Sequence, residues 1–298
     1  MSGRVGRVAA LLAVAFVCAC GAGSGTGASD RDLSAYTGLG TWVDLYDHHV
    51  LAHPESAVAA MAKRGVWTLF LETSNYEMKQ DIVRRDRVAR FVEAAHANGM
   101  QVVAWYLPSF RNLALDTRRS LAAANFETPG GERFDSFALD IESSLVKPAS
   151  TRSTRLLTLS RRLRAAEPGL TLGAIIPAPV GMRRLPWYWP GFPYTSLARS
   201  YDVFLPMGYF TYRSHRATFS GPYTSLNISM LRTATGNPAL PVHPIGGIAG
   251  DASTAQVRAF TRAAVSGDSI GASLYDFATT SAAQWRELQP ANDLPRAG

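Results

Sequence analysis

Short apolar runs, each followed by a stretch whose apolar residues recur at helical spacing, repeat along this chain from residue 40 to residue 288. This alternation is the strongest constraint in the sequence. Strand, helix and strand in succession build a parallel sheet, and eight such units over about 250 residues close into a barrel. Strands are expected at 40–46, 66–72, 101–107, 134–143, 171–176, 203–207, 242–248 and 271–277. Helices are expected at 54–64, 82–98, 116–125, 151–166, 224–235, 254–265 and 281–288. In 82–98, Val83, Val88, Phe91, Val92 and Ala95 keep the helical period and Gly99 caps the segment. The interval 177–200 breaks the rhythm, with five prolines around Trp187, Tyr188 and Trp189. It reads as a loop with a short helix on the face where barrels build their sites. The expected fold class is therefore α/β, a single-domain (β/α)8 TIM barrel spanning 35–290, with a tail at 291–298.

The N-terminus has a different character. Arg4 and Arg7 precede an unbroken apolar run, 8–17, that is too short to span a bilayer, and small residues with cysteine follow. This is the pattern of a signal peptide. Val17-Cys18-Ala19-Cys20-Gly21 resembles a bacterial lipobox, which implies a lipoprotein signal at 1–19, lipidation at Cys20 and an exported protein anchored to the cell membrane. Ordinary secretion is the alternative. Residues 20–34, rich in Gly and Ser, read as a tether. Their glycines do not form a nucleotide loop, because no strand precedes them.

Both cysteines lie in the targeting segment, so the body has no thiol for a disulfide, a zinc site or a nucleophile. The formal charge of +7 falls to about +5 without Arg4 and Arg7, which suits an anionic membrane or wall more than nucleic acid. The arginines of 84–90 and 152–164 read as solvated helix faces. No motif calls for a cofactor, and the chain is expected to be a monomer.

The chemistry-bearing residues gather at the strand ends, which in a barrel converge on one mouth. They are Asp44 and Asp47 after the first strand, Glu72 on the second, Trp105 and Tyr106 on the third, Asp140 and Glu142 on the fourth, Met207 and Tyr209 at the sixth and Asp276 at the eighth. Asp140 and Glu142 share one strand face, roughly 6.5 Å apart along it. Two carboxylates in one cleft hold one another's protons, as a general acid requires.

The stretch Asp135-Ser136-Phe137-Ala138-Leu139-Asp140-Ile141-Glu142 resembles the fourth-strand signature of family-18 glycoside hydrolases, the chitinase-like TIM barrels. Asp135, Asp140 and Glu142 match three of its acids, and Ala138 replaces the fourth. Met207-Gly208-Tyr209-Phe210 is similar to the sixth-strand Met-x-Tyr-Asp, with Phe210 in place of the acid. The resemblance implies that Glu142 protonates the departing glycosidic oxygen and Asp140 steadies the substrate's N-acetyl group. The carbonyl oxygen of that group attacks the anomeric carbon, and Tyr209 hydrogen-bonds it. Asp135, Asp44, Glu72, Trp105, Tyr106, Met207 and Asp276 are the candidate substrate contacts.

The expected activity is cleavage of a polysaccharide or cell-wall glycan, with N-acetylated sugars as one class. A second resemblance, to uncharacterised glycoside-hydrolase-like barrels with Asp-x-Glu on strand four, leaves Asp140 or Glu142 open as a nucleophile partnered by Asp276 or Glu72. Ala138 and Phe210 leave open a glycan-binding lipoprotein without catalysis. A third alternative is a metal-dependent deacetylase, in which Asp44, Asp47, His49 and His53 supply ligands. Pro54 works against it by favouring an extended His53.

Overall fold

The computed structural model describes residues 31–294, and the expected signal peptide (1–19), the expected lipidation site Cys20 and residues 20–30 of the expected tether lie outside them. Eight parallel strands close in sequence order into a barrel. They are β1 (Gly38–Val43), β2 (Thr68–Asn75), β3 (Gln101–Leu107), β4 (Ser136–Asp140), β5 (Leu172–Pro177), β6 (Val203–Met207), β7 (Ile245–Ile248) and β8 (Gly271–Tyr275). The helices are α1 (His48–Ala52), α2 (Pro54–Ala62), α3 (Arg85–Ala97), α4 (Leu113–Ala124), α5 (Ala149–Ala166), α6 (Pro179–Arg184), α7 (Tyr194–Leu197), α8 (Ala217–Thr235), α9 (Thr254–Ser266) and α10 (Ala282–Leu288). The expected single-domain (β/α)8 barrel is the fold observed.

Strand alternation produces two cores. Phe137, Leu139 and Ile141 of the fourth strand region face outward into the layer under the helices, and Ala138 faces the barrel interior with Trp42, Phe70, Trp105 and Met207. The inward row of β4 therefore runs Ser136, Ala138, Asp140, from the closed end to the mouth. Ser136 shows which end is closed: it donates to the Tyr36 hydroxyl at 2.7 Å, and that hydroxyl donates to Phe137 O at 3.0 Å. Gly173 on β5 is required here, since a Cβ would stand 2.6 Å from the Tyr36 hydroxyl.

The chain segment before β1 belongs to the barrel, not to the tether. Arg31 pairs with Asp202 at 2.8 Å, and Trp67 Nε1 donates to Ser34 O at 2.9 Å. The tether expected at 20–34 therefore ends before Arg31. Similarly Ala291 and Leu294 are buried, so the barrel extends into the expected tail.

Helix α8 begins at Ala217, seven residues before its expected start, and carries Pro222 inside it. Gly221 lets α8 approach α9: a Cβ there would meet Ala259 O at 3.2 Å. Close helix packing outweighs the hydrogen bond lost at Pro222. In the irregular interval, Trp189 is 2% exposed and lies under the Arg152 guanidinium, whose carbon is 3.9 Å from the ring centre. Trp187 is exposed.

Candidate active site

Strand β4 ends at Asp140, and the chain stays bound to β5 for one more residue, with Ile141 N donating to Ile175 O at 2.7 Å. Extended geometry thus persists far enough to turn Asp140 and Glu142 toward the same opening. Both line a cavity of about 220 Å³ with Glu72, Trp105, Tyr209 and Tyr275. Glu142 and Tyr209 also line a neighbouring cavity of about 180 Å³, walled by Ala178, Met182, Leu185 and Met207. The two cavities meet at Glu142.

Asp140 is buried, and its Oδ1 has no hydrogen-bond partner among the described residues. The indole nitrogen of Trp105, buried in the same cavity, is likewise unanswered. An unpaired buried acceptor and donor are costly unless a ligand completes them. Among the described residues no arginine forms an ion pair with Asp140, Glu142 or Glu72. Burial, then the Glu142 and Glu72 carboxylates, hold Asp140 well above the usual carboxylate range. Burial also raises Glu142. Glu72 accepts from Leu45 N and from Asn75 Nδ2, both at 3.0 Å, yet burial still pushes it up to about 7. Burial, with Glu142 and Asp140 adding, keeps the Tyr209 phenol protonated, and a protonated phenol can donate.

Met207 borders the site from the barrel interior. Asp44 stands at its edge: its Oδ1 accepts from Tyr46 N at 2.7 Å, and its Oδ2 accepts from the Tyr275 hydroxyl. Asp276 turns aside, accepting from Thr279 N at 2.9 Å and closing a turn. Tyr275, the inward residue one place earlier, occupies the cavity instead. Strand alternation carries that signal in the sequence, because Ser273 and Tyr275 share the inner face.

Besides Asp276, two further expected contacts are corrected. Asp135 sits at the closed end of β4, where it pairs with His96 at 3.0 Å and accepts from Val102 N at 2.6 Å. Five residues of strand, roughly 16 Å, separate it from Asp140. Tyr106 points outward into the helix layer, where its hydroxyl donates to Asp116 at 2.8 Å. Its neighbour Trp105 takes the inward face. Tyr188 and Asn75 were not foreseen as site residues. Tyr188 lines the smaller cavity and its hydroxyl donates to Glu142 O, and Asn75 lines the larger one. The prolines around Tyr188 mask the direction of its side chain in the sequence.

For a metal, the carboxylate oxygens of Asp44, Asp47 and Asp276 lie within 4.8 Å of one another. Burial, then Asp276 and Asp44, push Asp47 up to about 7. His49 and His53 stack edge to face with ring centres 5.3 Å apart, but neither joins the acids in that group. His53 leaves the helical region, with φ −130° and ψ 61°, as a residue before proline favours.

A closed (β/α)8 TIM barrel with buried acids at the C-terminal mouth of its fourth strand is the class that the fold and the site define. Solved structures agree on the fold. An endo-β-1,4-mannanase from Thermotoga petrophila is 10% identical with TM-score 0.66, over 87% of this chain and 77% of that one. A class V chitinase from Pseudomonas fluorescens is 13% identical with TM-score 0.62, over 86% and 99%. A plant class V chitinase mutant from Cycas revoluta, solved with (GlcNAc)3, is 10% identical with TM-score 0.63, over 86% and 99%. No protein-family model and no curated protein matches the sequence.

Proposed function

We propose that this protein hydrolyses a glycan containing N-acetylated sugars, with Glu142 as the proton donor. The observation that carries the reading is the pair of raised acids, Asp140 and Glu142, in one cavity with an unanswered Asp140 oxygen. Burial favours the protonated form of Glu142, which can pass its proton to the departing glycosidic oxygen. Asp140 offers its free Oδ1 to an amide N–H, which turns the substrate's acetamido carbonyl toward the anomeric carbon. That oxygen forms its bond as the glycosidic bond breaks. Water, losing its proton to the glutamate, then opens the cyclic intermediate. Tyr209 donates to the acetamido group and Trp105 gives a ring face to the sugar. Export through the 1–19 signal and an anchor at Cys20 would bring the site to wall glycans.

The test is release of reducing ends from chitin and from purified wall glycan by wild type and Glu142→Gln. We expect release by wild type and a loss of about 10²- to 10⁴-fold in the variant. Full activity in a folded Glu142→Gln removes Glu142 as the donor. Binding without release by wild type favours the non-catalytic alternative that Ala138 and Phe210 suggest.

A further inference from the structure

The two sides of the mouth differ in their ionisable residues, acids on one and arginines on the other. Asp44, Glu72, Asp140 and Glu142 come from the first, second and fourth strands and the segments directly following them. On the other side, the segments that follow β5 and β6, residues 178–185 and 208–216, contain four arginines and no acid, and Asp202 lies between them in the sequence. Asp202 does not reach the mouth, since it is bound by Arg31 at 2.8 Å and by Arg164 at 2.5 Å. Arg183, Arg184, Arg213 and Arg216 are exposed, and none forms an ion pair among the described residues. Arg213 lines the same cavity of about 180 Å³ as Glu142, Met182, Leu185, Met207 and Tyr209. Gly181 makes room for it: a Cβ there would stand 3.1 Å from Arg213 Nη2.

An arginine with no internal partner, at the rim of a mainly apolar recess, fits a short substituent that ends in a carboxylate. The guanidinium fork takes the two oxygens, and the apolar wall takes the carbon atoms that carry them. The recess is smaller than pockets that hold drug-sized ligands, so it suits one substituted sugar unit, not a long oligosaccharide. Burial disfavours the charged form of Glu142, so its carboxyl competes less for Arg213 and repels an anion less.

Building on the glycosidase reading above, we propose that the substrate is an acidic N-acetylated glycan, and that Arg213 binds a carboxylate on the sugar held beside Glu142. Neutral chitin-type chains then react more slowly than chains whose N-acetyl sugars carry an ether-linked carboxylate. Arg183, Arg184 and Arg216 add long-range attraction, which salt weakens.

The experiment compares two forms of one probe: soluble glycan strands of alternating N-acetylglucosamine and N-acetylmuramic acid, with the lactyl carboxylates free or reduced to alcohols. The expected kcat/KM for the acid form exceeds that for the reduced form by about tenfold, as one partly exposed ion pair and its attendant field can supply. That ratio should fall toward one in Arg213→Gln and in 0.5 M salt, roughly where screening shortens below 5 Å. Equal rates on both forms in wild type, or a ratio unmoved by Arg213→Gln, overturn the assignment. If neither form is hydrolysed, the glycosidase reading fails. Titration of both forms by tryptophan fluorescence in Glu142→Gln then decides the carboxylate separately: tighter binding of the acid form, lost on adding Arg213→Gln, upholds it, and equal binding rejects it.

Discussion

Glu72 offers a quantitative test of the claim that the mouth holds its acids in the protonated form. The side chain is 2% exposed, and burial moves its midpoint from 4.5 to about 7. At about 1.4 kcal/mol per pH unit, that displacement corresponds to roughly 3 kcal/mol. Because the folded state binds the proton more tightly than the unfolded state, stability is highest below pH 4.5, falls as pH rises toward 7 and levels off above it. Glu72→Gln fixes the neutral form. Gln has one acceptor for the two donors, Leu45 N and Asn75 Nδ2, so it loses about 1 kcal/mol at every pH. The variant should therefore be less stable than wild type by about 1 kcal/mol near pH 4 and more stable by about 2 kcal/mol near pH 8. Equilibrium urea unfolding followed by tryptophan fluorescence at both pH values measures the crossing. A difference between the two proteins that stays constant with pH, within about 0.5 kcal/mol, would show that Glu72 titrates as an ordinary carboxyl and would refute the reasoning.

Other perturbations separate the site from the scaffold. Asp140→Asn should raise stability at pH 8 relative to pH 4, by removing a carboxylate that burial holds protonated, while lowering kcat by about 10²-fold; unfolding curves and reducing-end release check the two halves. Asp135→Asn should leave glycan release unchanged. Its stability loss should be present at pH 6 and fade by pH 10, because Asp135, with Glu132 helping, raises His96 to about 9 and that pairing disappears as His96 loses its proton. Partial exposure of the His96–Asp135 pair, whose side chains are 21% and 24% accessible, limits the loss to about 1 kcal/mol, read by the same unfolding assay. Gly173→Ala should cost about 2 kcal/mol or more, visible as a fall in Tm, because the added carbon meets the Tyr36 hydroxyl at 2.6 Å.

The eight-strand order was legible because each strand keeps its apolar run and each helix its own period. The places where the reading failed share a cause: side-chain direction. Asp135 and Asp140 belong to one sequence signature, but five residues of extended chain put them at opposite ends of β4. Tyr106 and Asp276 each stand next to an inward residue, Trp105 and Tyr275, and a strand shows its two faces alternately. The start of α8 was missed because Gly221 and Pro222 oppose a helix locally, and the approach of α9 outweighs them. The position of Arg213 against Gly181 depends on how two separate loops meet, which no local pattern encodes.

Ala138 and Phe210, the two departures from the family-18 resemblance, have different meanings once placed. Phe210 is fully buried, with its ring centre 5.9 Å from that of Phe260, and a Cβ on Gly247 would stand 2.7 Å from it. It is part of the packing behind the site, so its lack of charge removes nothing from the mouth. Ala138 lies on the inner face of β4, directly below Asp140, among Trp42, Phe70 and Trp105. An acid at that position would share a proton with Asp140 along the barrel axis. Without it, the acids that raise Asp140 are Glu142, one step above on the same face, and Glu72, from a different strand. Proton sharing is thereby shifted from the barrel interior to the mouth itself. Ala138→Asp should test this directly: a second acid below Asp140 would compete for its proton, destabilise the barrel by several kcal/mol at pH 8 and much less at pH 4, and move the pH profile of glycan release. A profile unchanged in a folded Ala138→Asp protein would mean that Asp140 takes its protonation from above alone.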